Sequence, residues 1–251
     1  MHRFFPIPAY LLGAAAVALV APATGFAQNV FVDSDSTIAT GNFDNIYVGL
    51  DSNFNEVSGI DLTFSGDDAN ALRANSNSRT DITGGVVRLL TADDTSVVNI
   101  LGGTVGNSLI GPGENSIDIG TGSVVNLRGG SVIDNLRVFG VVNVFGGTVG
   151  GAFVTPENGQ VVFSGLDFSF QNAGFFGDGF SGGSVYAIQL TTTSGVINYT
   201  VNDVDFAGEG IANPERQFSF VQVAVVPEAS TGLLLLGAVP ALAGIVARRK
   251  K

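Results

Sequence analysis

Ser96 to Val105 reads SVVNILGGTV, and the same phrase returns as SVVNLRGGSV at Ser123 to Val132 and as GVVNVFGGTV at Gly140 to Val149. A worn copy, TDITGGVV, occupies Thr80 to Val87. The Gly-Gly pairs begin at Gly84, Gly102, Gly129 and Gly146, so the intervals are 18, 27 and 17 residues. Val-Val-Asn-Ile favours an extended strand, Gly-Gly permits a sharp bend, and Thr-Val opens the next short strand. A unit of 17–18 residues cannot bury its own apolar face. Stacking such units ~4.8 Å apart lets each coil hydrogen-bond to its neighbours around one continuous core. The pattern therefore predicts an all-β fold, a β-solenoid or parallel β-helix, with repeated hairpins in a β-sandwich as the alternative. The long middle interval predicts one coil carrying a loop of about nine extra residues within Gly106 to Gly122.

Alternation assigns faces within each copy. Val98 with Ile100, Val125 with Leu127, and Val142 with Val144 share the core side. Asn99, Asn126 and Asn143 recur on the other side, beside Leu101, Arg128 and Phe145. A position that accepts Leu, Arg or Phe is expected to be exposed. The Asn column is thus expected to face outward or to flank a bend, as an amide hydrogen-bond ladder, with a ligand-binding row as the sharper reading. Thr104, Ser131 and Thr148 form a second row, of a kind that suits ice or glycan surfaces.

Either side of the repeats the chain still reads as strands. Asn45 to Val48 and Ile60 to Phe64 precede them; Val185 to Leu190, Val196 to Val201 and Phe218 to Val225 follow. Phe163 to Phe180, rich in Phe and Gly, is expected to continue the solenoid or to cap it, since a terminal coil needs a cover. With 35 Gly the body could suggest disorder, but regular apolar spacing argues for packing.

Charge narrows the partners. Between Gln28 and Val226 six arginines face 21 acidic residues, 6 − 21 = −15. Such a surface repels nucleic acid and anionic headgroups. Cysteine is absent, which removes disulfides and thiolate chemistry, and the sole histidine is His2. Without His or Lys in the body, Ser/His/Asp and Ser-Lys catalysis have no base. Glycoside hydrolysis needs two spaced carboxylates, whereas Asp67-Asp68 and Asp93-Asp94 are sequence neighbours expected in turns. No catalytic residue and no metal site is assigned. Calcium is the one cofactor that Asp33-Ser34-Asp35-Ser36 or Asn202-Asp203-Val204-Asp205 would suit, and neither follows an EF-hand or nonapeptide pattern.

Both termini read as addresses. Met1-His2-Arg3, an apolar stretch over Tyr10 to Val20 with helical periodicity, and small residues at Gly25 and Ala27 predict a secretory signal peptide over 1–27 that begins with a short helix. At the other end Val226-Pro227-Glu228-Ala229-Ser230-Thr231 precedes an apolar run, Gly232 to Ala247, and a cluster Arg248-Arg249-Lys250-Lys251. Sixteen apolar residues, helical by their periodicity, are short against the ~20 that span a bilayer comfortably. Thinning or snorkelling would still allow 232–247 to cross, with the four cations held cytoplasmic and the body, 28–225, outside.

The tail, 226–251, resembles the PEP-CTERM sorting signal in its Pro-Glu motif, short apolar helix and basic cluster. Ala229 departs from the usual proline. The resemblance implies recognition by an exosortase, a membrane cysteine protease, and removal of the tail on delivery to the cell surface or extracellular matrix. The expected function is therefore a non-enzymatic surface or matrix protein, in contact with the membrane through its C-terminal helix and with extracellular polysaccharide as a candidate partner. The alternatives are a polysaccharide lyase or hydrolase, or a glycan-binding adhesin, on the same β-helix.

Overall fold

The computed structural model describes residues 17–20, 29–106, 115–155, 159–177, 181–206 and 218–223. In register, Val97–Ile100, Val124–Leu127 and Val141–Val144 lie side by side and parallel, Asn99 opposite Asn126 and Asn126 opposite Asn143. Parallel neighbours one repeat apart require the chain to make a full circuit between them. The described residues form no helix; their strands build a β-solenoid of stacked parallel coils, and the β-sandwich alternative falls away.

Two sheets make the walls. The first holds nine parallel strands among the described residues, running from Val17–Val20 through the repeats to Phe218–Gln222. The second holds the other side of every coil. There the long strand Val86–Ala92 pairs at Val86 and Val87 with Thr104–Val105, and at Leu90 to Ala92 with Asn115–Ile119. The extra residues of the long coil enter at that break. From Val105 to Ile117 is 12 positions, against 4 from Val132 to Leu136 in the next coil, so eight are added, inside the span expected from sequence. Residues 107–114 themselves lie outside the described set.

Inward side chains line up from coil to coil. One column runs Ile38, Phe64, Ile82, Ile100, Leu127, Val144, Phe163, all fully buried. It faces another running Ile46, Leu72, Leu90, Ile117, Leu136, Phe153. Each such aliphatic side chain withdrawn from water contributes roughly 1.5–3 kcal/mol.

The Gly-Gly turns stack as well. The second glycine of each pair, Gly85, Gly103, Gly130 and Gly147, has φ between +71° and +79°. A Cβ on Gly103 would sit 2.7 Å from the Gly84 carbonyl carbon, and one on Gly130 would sit 2.9 Å from Gly102. Only glycine meets both demands, the left-handed backbone and the close approach of the turn below.

After Gln160–Gly165 the chain leaves the coil path. Asp167–Gly177, Ser181–Thr192 and Gly195–Phe206 form an antiparallel meander whose last strand re-enters the second sheet beside Phe153–Thr155. Phe163, Phe168, Phe170, Tyr186, Tyr199, Phe218 and Phe220 close the end of the core, with ring centroids 5.0–6.3 Å apart. The Phe-rich segment thus both continues the solenoid and caps it.

Two expectations change. Val17–Val20, expected within an apolar N-terminal helix, is a strand paired in parallel with Ser36–Thr40, a conformation that its two valines favour. Asp68, expected in a turn, begins the strand Asp68–Ala74 and faces Arg88. The rest of both terminal segments, including the helix expected over 232–247, lies outside the described residues.

Candidate functional site

The asparagine column is a continuous ladder. Asn126 Nδ2 donates to Asn99 Oδ1 at 2.8 Å, and Asn143 Nδ2 donates to Asn126 Oδ1 at 2.9 Å. Asn99 Nδ2 in turn donates to Asp81 Oδ1 at 2.5 Å. Asp81 suits that end because a carboxylate only accepts. Arg79 clasps the same carboxylate at 3.2 Å through Nε and Nη2 and has its own pKa raised by that hydrogen bond and charge. Val162 fills the next rung after Asn143 and ends the series. On the second sheet Thr148 Oγ1 donates to Ser131 Oγ at 3.1 Å, with Thr104 in register one coil earlier. The ladder donors therefore point along the stack, toward one another.

Carboxylates elsewhere are engaged one at a time. Asp68 pairs with Arg88, Asp67 Oδ2 accepts from Gly41 N at 3.3 Å, and Asp44 Oδ1 accepts from Asn70 Nδ2 at 3.0 Å. Asp35 Oδ1 accepts from Asp61 N at 3.0 Å, so it ties one coil to the next. Asp93 and Asp94 form a turn; burial, then the charge of Asp94, pushes the Asp93 carboxyl above its ordinary range. Among the described residues no group of three or more His, Cys, Asp or Glu could hold a metal ion. The side chains of Asp203 and Asp205 lie outside that set.

Two surface features escaped the sequence reading. A concavity of about 570 Å³ lies where Val149 to Gly151 meets the meander, lined by Ser169, Gln171, Gln189, Asn198 and Thr200. Tyr199, the ionisable residue of its lining among the described residues, donates its hydroxyl to Gly147 O at 3.0 Å, and burial pushes its pKa up to about 12. The second feature is an aromatic cluster at the opposite end. Phe31 and Tyr47 stack at 5.0 Å on the outer side of adjacent strands, and Phe54 stands perpendicular to both at 5.1 and 5.5 Å. Phe54 is 60% exposed. A signal for this cluster existed: Asn29-Val30-Phe31-Val32 and Asn45-Ile46-Tyr47-Val48 are near copies 16 residues apart. They lack Gly-Gly, on which the repeat was recognised.

The sorting residues Val226, Pro227, Glu228, Ala229 and Ser230 and the cations Arg248 to Lys251 lie outside the described residues. Comparison with protein families places a PEP-CTERM protein-sorting motif at residues 225–251. No curated protein and no solved structure matches the chain. The motif marks an exported protein processed by an exosortase system, whose exosortase is a membrane protein.

Proposed function

We propose that this exosortase substrate is a non-enzymatic cell-surface or extracellular-matrix protein. Its acidic β-solenoid is held at the inner membrane by the tail and released outward when the tail is removed. The observation that carries the proposal is the sorting motif at 225–251, which follows the body directly. The leader over 1–27 and the cationic end place the body on the same, outer side of the membrane. A role without chemistry is supported by where the carboxylates go: Asp35, Asp67, Asp68 and Asp81 each hold a neighbouring coil or guanidinium. The concavity is lined by amides, hydroxyls and aromatic rings, which suit binding better than acid–base hydrolysis. The solenoid as proposed works without a cofactor.

The test is cell fractionation with intact-mass measurement of the wild type and a Pro227→Ala/Glu228→Ala double variant. The wild type is expected outside the inner membrane at a mass lacking the tail; the variant is expected full-length and membrane-bound. Two full-length, inner-membrane proteins would reduce the tail to a plain anchor and remove the surface assignment.

A further inference from the structure

We infer that the aromatic cluster on the first coils is a binding platform for a neutral glycan, a sugar ring packing its C–H face on Phe54 beside Phe31 and Tyr47. The inference rests on the proposed location outside the cell and adds the ligand class and the residues.

The platform is built rather than incidental. Phe54 has φ +62°, a backbone state that a bulky residue adopts only under local compulsion. The compulsion is visible. Asp51 Oδ1 accepts from Asn53 N and Asn55 N, both at 2.8 Å, and Asp51 Oδ2 accepts from Asn55 Nδ2 at 2.9 Å. Phe54 N donates to Asp51 O, and Asp51 N donates to Asn55 O, each at 2.9 Å. These bonds, Asn55 foremost, hold the Asp51 carboxyl below its usual range. Glycine or asparagine would sit at position 54 with less strain, and a polar residue would be better hydrated. A strained backbone and an exposed ring at one residue together indicate a surface shaped for a ligand.

Composition around the rings selects the ligand. Asn29 and Asn45, two residues before Phe31 and Tyr47, share their outward face, with Asn45 Nδ2 donating to Asn29 Oδ1 at 2.8 Å. Asn53 and Asn55 flank Phe54. Aromatic faces ringed by amides complement a pyranose, which offers polarised C–H groups on its face and hydroxyls on its rim. Area decides against a second copy of the chain. With Phe54 60% exposed and the other two rings only partly so, the cluster offers on the order of 250 Å². A stable protein interface needs about 800 Å² per partner. Charge decides against anionic glycans: across 28–226 the body carries 21 acidic residues against six arginines, and among the described residues the one guanidinium over the cluster is Arg73, 6.0 Å from the Tyr47 ring centroid.

The test is affinity electrophoresis of the protein as purified from its producing cells, in gels containing a neutral glucan, mannan or galactan, with polygalacturonate as the anionic control. Retardation by at least one neutral polymer is expected, weakened about tenfold or more by Phe54→Ala. Phe54→Gly, which relieves the left-handed strain, is expected to lose binding while its thermal midpoint stays or rises, so lost binding is not lost folding. Unchanged retardation in both variants, retardation by polygalacturonate alone, or none in any gel overturns the inference. So does concentration-dependent sedimentation that Phe54→Ala abolishes, which would make the cluster a self-association site. Intact mass of the same variants separates this from the sorting proposal: normal tail removal without glycan binding sinks only the platform, and retained binding without tail removal sinks only the sorting.

Discussion

Asn126 uses both halves of its amide. Nδ2 donates to Asn99 in the coil before it, and Oδ1 accepts from Asn143 in the coil after it. Asn126→Ala would strand a buried acceptor on Asn99 and a half-buried donor on Asn143. Leaving such groups unpaired costs about 1–3 kcal/mol. Asn143→Ala, at the end of the series, removes one bond and is expected to cost about 0.5–1.5 kcal/mol. Urea unfolding at neutral pH is the check: both midpoints should fall with unchanged slope, and Asn126→Ala should fall further. Equal losses would show that the ladder is not what these residues contribute. The column was readable because alternation and a repeat together fix which side chains share an outward face. Phe54 was not, since nothing in Asp-Ser-Asn-Phe-Asn announces a phenylalanine in a left-handed state.

The turn between strands shows how a coil-to-coil constraint is enforced on the backbone. Gly59 and Gly85 both have positive φ, +77° and +74°, yet their surroundings differ completely. A Cβ on Gly59 would meet nothing within 4 Å, whereas on Gly85 it would lie 1.7 Å from the Gly66 carbonyl oxygen. Gly59→Ala therefore isolates the conformational cost, about 1–2 kcal/mol. Gly85→Ala adds displacement of a stacked turn and is expected to exceed ~4 kcal/mol or to block folding. Thermal melts of the two variants give the comparison, and similar losses would mean that the turns do not pack as tightly as their glycines imply. Gly84-Gly85 and its three stacked copies made the solenoid legible, because a turn that only Gly-Gly can form leaves its mark at each of those coils. The meander over 167–206 left no such mark. Its strands are long, antiparallel and free of the coil period, so its Phe-rich sequence announced burial but not path. The helix expected over the N-terminal apolar run gives way at Val17–Val20 for a different reason: four residues are too few to carry a 3.6-residue period, and they pair with the edge strand Ser36–Thr40.

For the whole molecule, charge is the dominant unbalanced term. Across 28–226 the body carries 21 acidic residues and six arginines, and stacking brings the charge of Asp118, one coil on, to bear on Asp93. Asp93 is where this is felt. Burial comes first and the charge of Asp94 next, with Asp118 from the following coil adding to both and Arg73 alone opposing them. A carboxyl whose pKa is raised on folding binds its proton more tightly in the folded state. Its ionisation therefore removes stability as pH climbs through and above the ordinary aspartate range. Asp51 has the opposite sign: its lowered pKa gives stability that is present above that range and is lost only on stronger acidification. The wild type is accordingly expected to melt higher in mildly acidic buffer than at neutral pH, then lower again as Asp51 takes up its proton. Asp93→Asn should raise the neutral-pH midpoint and flatten the upper part of this curve. The group is only partly buried, so the gain is expected to stay below about 1 kcal/mol, or roughly 2–4 °C. Added salt should raise the wild-type midpoint more than that of Asp93→Asn, since it screens the repulsion that the substitution deletes. A variant that melts lower at neutral pH would assign the Asp93 carboxylate a bonding role in its turn and leave the balance of charge between coils to be carried elsewhere.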